Sequence, residues 1–176
     1  MRARDQAPAF VEKLTSEFIP DFYFFDSPEA GHRYIARELR TMGTTVYFEP
    51  SGISTKADLE SVSRSDIIKF SDENVPDTSF ADAFNDKLFV QTRGKDGLCF
   101  KLRSGDWKTL PGIPNDNVID TEGAGDWTTA AIIYGIVRSG KPFSELNEED
   151  IVPILMEDQR FASEKVTHLG SKGNLQ

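Results

Sequence analysis

Residues 122–127 read Glu-Gly-Ala-Gly-Asp-Trp and lead straight into the apolar stretch TTAAIIYGIV, residues 128–137. A glycine-rich turn entering a helix aims successive backbone N–H groups, here those of residues 123 to 126, into one small space. The helix dipole adds about half a positive charge at that point. Asp126, in the first turn of such a helix, sets a carboxylate beside an anion pocket, which is the pairing that proton removal from a hydroxyl needs. The same residues have a second reading, in which Gly123 and Gly125 only make a tight turn and Asp126 only caps the helix.

Other reactive side chains point away from competing chemistries. Cys99, the one cysteine, lies in the apolar run LCFKL and has no internal disulfide partner, which fits a core thiol in a reducing compartment. His32 and His168 are far apart in sequence and do not form the clustered Cys and His spacing of a zinc site; His32 reads as a helix surface residue. With 20 Lys and Arg against 29 Asp and Glu, the net charge of -9 repels phosphate backbones, so nucleic acid is a poor partner. The opening MRARDQAPAFVEKL contains an acid and no apolar run of signal-peptide length, so the expected location is the cytoplasm. A chain of 176 residues suits one domain, 1–176, with a sizeable core.

The elements around the glycine turn follow from pattern. DFYFF (21–25) is a buried strand, Ser27 and Pro28 read as an N-cap and first-turn proline, and Tyr34, Ile35, Leu39 and Met42 recur at helical spacing up to a C-cap at Gly43. TTVYFEPSG (44–52) is a second strand, so strand, helix and strand make a crossover unit with parallel strands and a right-handed connection. ADLESVSRSDIIKFSDENV (57–75) repeats the theme with a short helix and the strand DIIKF, ending in an acidic loop where ligand loops usually lie. KLFVQTRGKDGLCFKLRSGDWKTLP (87–111) has a hairpin pattern and predicts an antiparallel edge. A strand NVID then leads to the glycine turn and a helix with hardly a polar face, expected to be buried. FSELNEEDIVPILMEDQRFASEKVT (143–167) is helical, with Pro153 near its start or at a kink. The fold class is α/β.

The order VQTRGKDG followed by DTEGAGDWTTAAIIYGI resembles the C-terminal half of the ribokinase-like carbohydrate kinases, the phosphofructokinase B type family. Thr92, Gly94 and Gly97 match that family's T-x-G-x-x-G; Asp120, Thr121, Gly123, Ala124, Gly125 and Asp126 match its D-T-x-G-A-G-D. VYFEPSG is similar to the strand ending in D-P-N, and SDIIKFSDENV to the strand leading to the N-E-E-E loop. The resemblance runs from about residue 20 to residue 170 and implies a three-layer α/β/α Rossmann-like fold, truncated, without the N-terminal part and lid. Residues 1–20 are then an N-terminal extension and 21–170 the nucleotide-binding and catalytic half.

The resemblance also implies roles. Asp126 is the general base toward a sugar or nucleoside hydroxyl, and the amides of Gly123, Ala124 and Gly125 form the anion hole for the phosphoryl group. Thr92, Gly94 and Gly97 line the ATP site, and Asp120 with Thr121 belongs to a loop that often holds a monovalent cation; Mg2+ accompanies the ATP. For these five residues a hairpin turn and a strand end are the alternative. Two departures stand out. Ser71, Asp72, Glu73 and Asn74 occupy the place of N-x-x-E, so an amide replaces the acid that helps organise hydrated magnesium, and Trp127 replaces a small residue after the base. An incomplete kinase expects a partner half or self-association to cover its open sheet edge. The competing expectation is a non-catalytic nucleotide-binding or interaction module.

Overall fold

In the computed structural model, which describes residues 3–170, eleven elements follow the chain: α1 (Ala3–Glu17), β1 (Phe22–Phe25), α2 (Ala30–Thr41), β2 (Thr45–Phe48), α3 (Lys56–Ser63), β3 (Ile67–Ser71), β4 (Leu88–Thr92), β5 (Gly97–Leu102), β6 (Lys108–Pro111), α4 (Ala124–Ser139) and α5 (Glu148–Lys165). The strands follow one another across the sheet in chain order, β1 to β6. The chain divides into two compact units: Met1–Arg93 with Cys99–Lys108, and Gly94–Leu98 with Thr109–Gln176.

The first unit holds the parallel part of the sheet. Phe22 to Phe25 pair with Thr45 to Phe48, Tyr47 and Phe48 with Ile67 and Ile68, and Ile67 to Ser71 with Leu88 to Thr92. Helices α2 and α3 supply the first two crossovers that parallel neighbours require, and the third, from β3 to β4, contains only the 3-10 segment Ser79–Ala83. β2, β3 and β4 are buried nearly throughout, and Phe25, Val46, Phe48, Ile68, Phe70 and Phe89 form one core with Ala36 and Val62 from the helices. Only Arg93 and a short 3-10 turn, Gly94–Asp96, separate β4 from β5, a connection too short for a parallel crossover; β5 therefore runs back antiparallel, as the hairpin pattern predicts.

Several expectations shift. Helix α2 begins at Ala30, with Glu29 extended in the N-cap position and no side-chain cap, two residues after the Ser27-Pro28 signal. Pro28 instead offers its carbonyl to the Arg33 guanidinium. Gly43 does end the helix, with φ of 97° and its N–H donating to the Arg40 carbonyl. His32 is half-buried rather than a surface residue: its Nδ1 lies 2.8 Å from the Tyr23 hydroxyl and its ring stacks on Phe25. Helix α1 falls in the stretch that carried no helical expectation, and it packs on α2.

In the second unit α4 lies against α5. The helices approach closely at Gly135, where a Cβ would stand 2.7 Å from the Ile154 side chain. Helix α4 buries Thr128, Thr129, Ile132 and Ile136 but leaves Tyr134 and Val137 more than half exposed, so its apolar character exceeds its burial. NVID is not a strand. Val118 and Ile119 are exposed, and among the described residues this segment's backbone-to-backbone bonding is from the Ile119 and Asp120 N–H groups to the Val166 carbonyl.

Candidate functional site

The glycine turn takes the form its sequence requires. Gly123, the N-cap of α4, has φ of 76° and ψ of 0°, left-handed backbone that a side chain makes costly. The helix therefore starts with no side-chain cap, and Ala124, Gly125 and Asp126 fill its first three positions. The Ala124 N–H donates to the Thr121 carbonyl at 3.2 Å, and that of Trp127 to the Gly123 carbonyl at 3.1 Å. Thr128 and Thr129, both buried, donate their hydroxyls back to the carbonyls of Ala124 and Gly125, which stiffens the first turn. Asp126 is exposed and, among the described residues, its carboxylate makes no hydrogen bond or ion pair. The capping interpretation of Asp126 thus has no bond behind it, while the dipole of a sixteen-residue helix still favours an anion here.

Asp120 is pinned to the end of α5, while the Thr121 carbonyl accepts the first N–H of α4. The Asp120 carboxylate accepts the Glu122 N–H at 2.9 Å and the Gly170 N–H at 2.8 Å. Those two backbone donors, with a smaller contribution from the charge of Lys165, hold its carboxyl below the ordinary carboxylate range. Lys165, almost fully buried, reaches the Asp120 carbonyl at 3.5 Å and the His168 carbonyl at 3.4 Å. Sequence reasoning passed Lys165 over, because a lysine in the last turn of a helix is an ordinary complement to the dipole.

The two glycines of TRGKDG differ in kind. Gly94 is exposed, has φ of 53° and has open space where a Cβ would project. Gly97 is buried, has φ of 97°, and its Cβ would collide with the Leu110 carbonyl at 2.2 Å and the Gly112 nitrogen at 2.4 Å. Gly97 is thus required by the approach of the β6 backbone, whereas Gly94 leaves an exposed turn open.

Thr92 belongs to the first unit, the other candidates to the second. It pairs in register with Ser71 at the ends of β4 and β3, and its carbonyl accepts the Asp72 N–H at 2.9 Å. The turn after β3 is closed by Ser71, whose hydroxyl accepts the Asn74 N–H and whose carbonyl accepts that of Val75. Glu73 and Asn74 are exposed, and among the described residues no group of three or more His, Cys, Asp or Glu side chains is placed to hold a metal ion. Just before this loop, buried Lys69 pairs with Glu49 at 2.5 Å, fixing the acid that follows β2. A cleft of about 480 Å³ in the first unit, lined by Arg33, Arg37, Arg64 and Glu60 among others, contains none of the motif residues. No helix among the described residues is long and apolar enough to cross a membrane.

The model of the pfkB family carbohydrate kinases matches residues 36–148, more than half of the chain. No curated protein matches it in sequence. Among solved structures the chain is similar to an Arabidopsis thaliana ribokinase complexed with ribose and ATP, at 18% identity and a TM-score of 0.67, covering 86% of this chain and 51% of that one. It is also similar to a Methanocaldococcus jannaschii nucleoside kinase, at 18% identity and a TM-score of 0.70 over 90% and 52% of the two chains. A microbiome-derived acarbose kinase gives 17% and 0.72 over 95% and 55%. The shared property at these identities is the ribokinase-like α/β fold, and the chain spans about half the length of each of these structures.

Proposed function

Since this chain belongs to the pfkB family of carbohydrate kinases, we propose that it serves ATP-dependent phosphoryl transfer to a hydroxyl of a sugar or nucleoside, supplying the catalytic half of the site. The observation that carries this reading is Asp126: an exposed carboxylate in the first turn of α4, behind a left-handed glycine, with no structural bond to make.

In the proposed reaction the Asp126 carboxylate takes the proton of the acceptor hydroxyl, and that oxygen attacks the γ-phosphorus of ATP. The bond to the bridging oxygen breaks and ADP leaves with its electron pair. Charge on the transferring phosphoryl oxygens is met by amides at the start of α4, an electrostatic role that needs fixed donors rather than moving ones. Gly123 and Gly125 contribute by backbone alone; for Ala124 to do so, its bond to the Thr121 carbonyl must open. The TRGKDG turn takes the nucleotide through exposed Gly94, while Gly97 keeps the hairpin closed beneath it. Magnesium would accompany the ATP, and the 71–74 turn would offer it only Asp72 and Glu73 beside phosphate oxygens and water. Acceptor contacts come from outside the described residues, which span about half the length of the similar structures. The alternative, a nucleotide-binding module without transfer, draws support from Asn74 standing in place of the loop acid.

Incubation with γ-labelled ATP, magnesium and a panel of pentoses, hexoses and nucleosides tests the reading, alongside calorimetry with ATP. Millimolar-range nucleotide binding with label appearing on an acceptor is expected. Binding without transfer favours the module; no binding at millimolar ATP removes both.

A further inference from the structure

The resemblance puts a monovalent cation on the loop of Asp120 and Thr121, and the residues found there do not fit one. The ammonium of Lys165 stands in that loop already. Its carbon stem belongs to the last residue of α5, the side chain is 3% exposed, and its Nζ lies 3.5 Å from the Asp120 carbonyl and 3.4 Å from the His168 carbonyl. These are the ligands a bare alkali cation would also use: neutral backbone oxygens, with the Asp120 carboxylate as nearby counter-charge. An ammonium has donors and no acceptor, so carbonyls around it are its only good partners once it is buried. A second positive ion on the same two oxygens would meet Lys165 at close range in a partly desolvated site, where like charges repel far more than in water.

The surrounding bonds show what the ammonium holds together. The Val166 carbonyl accepts both the Ile119 and Asp120 N–H groups, the Asp120 carboxylate accepts Gly170 and Glu122, and Thr121 accepts Ala124, the first residue of α4. Loop, helix end and glycine turn form one bonded series, with Lys165 at its centre of charge.

We propose that Lys165 is the built-in cation of this loop, keeping the Asp120 to Ala124 turn in shape without an added monovalent ion. Lys165 is then a positioning residue for the glycine turn; only the catalytic consequence rests on the kinase reading.

The test compares melting of the full chain in potassium chloride and in tetramethylammonium chloride at equal ionic strength. The unmodified protein is expected to melt within about 1 °C in the two salts, and Lys165→Met, which keeps the stem and removes the charge, to melt lower in tetramethylammonium and regain about 3 °C in potassium or ammonium. A saturable, potassium-selective rise in the unmodified protein overturns the proposal, because an ion then binds beside Lys165. So does a Lys165→Met chain that melts lower yet ignores potassium, which is the behaviour of lost packing alone. If Lys165→Met does not fold in either salt, the unmodified chain and Lys165→Arg decide: both stay indifferent to potassium, or the proposal fails. Melting requires no ATP, so a chain that binds no nucleotide but shows this salt pattern defeats the kinase reading and leaves the built-in cation standing.

Discussion

Helices α4 and α5 both carry an aspartate at the third helical position, and they use it in opposite ways. At α5, Asn147 accepts the Asp150 N–H while the Asp150 carboxylate accepts the Asn147 N–H and pairs with Lys141 at 2.7 Å. Helix α3 repeats this box with Thr55 and Asp58. At α4 the partner position is Gly123, which has no side chain to offer, and Asp126 stays unbonded. Two acids therefore satisfy helix ends and one does not. The lesson is that an acid at this position is ordinarily part of the fold, so the one released from that duty is the one available for chemistry.

Breaking the contrast should have graded effects. The largest is expected at a glycine outside it: Gly97→Ala drives a Cβ into the Leu110 and Gly112 backbone at positive φ, so it should destabilise by about 3 kcal/mol, whereas Gly94→Ala, facing open space, should lose far less. Chemical denaturation of the two variants measures the difference, and equal losses would mean that both glycines serve packing. Next come the boxed helices. Thr55→Ala and Asn147→Ala should each cost about 1 kcal/mol, read in the same way, because each leaves helix-end donors unpaired.

The smallest effect is one of pH. The Lys141 ammonium and then the Asn147 N–H hold the Asp150 carboxyl below its ordinary range. At Asp58, burial pushes the carboxyl up, but hydrogen bonds from Ser54 and Thr55 outweigh it and the net direction is again down. A depressed carboxyl contributes stability that is complete above the unfolded pKa of about 3.9 and disappears as pH falls through the lower folded value. Acid melts should therefore show Asp58→Asn and Asp150→Asn losing less stability than the unmodified chain as pH is lowered below about 4. A steeper acid limb in either variant would contradict the bonding described.

Much of this was legible in sequence for identifiable reasons. Buried parallel strands read as apolar runs, so TVYF, IIKF and LFVQ were found; FYFF was found as a strand but is not a buried one, since at the sheet edge only Phe25 is buried and Phe24 is exposed. Gly-Ala-Gly-Asp before an apolar run marked the start of α4. Boundaries were harder. Ser27-Pro28 looks like a helix start, but Glu29 is still extended and the helix begins at Ala30, with the Pro28 carbonyl taken by the Arg33 guanidinium. Apolar residues announce neither strand pairing nor burial: Val118 and Ile119 have no ladder partner, and Tyr134 and Val137 face outward on α4. At the candidate site, residue type singled out Asp126 for proposal, but only geometry showed that it is free of the capping bonds made by Asp58 and Asp150. Lys165 was invisible because its role depends on where residues 120 and 168 fold.

The central claim is that Asp126 serves chemistry and Asp150 serves the fold. Asp126→Asn and Asp150→Asn, each assayed for phosphoryl transfer from ATP and melted under the same conditions, test it together. The expected result is a crossed one: Asp126→Asn loses roughly 10²-fold or more in turnover with stability within about 0.5 kcal/mol of the parent, while Asp150→Asn keeps turnover and melts lower. An Asp126→Asn protein that transfers phosphate at the parental rate, or that loses activity only by unfolding, would contradict the account.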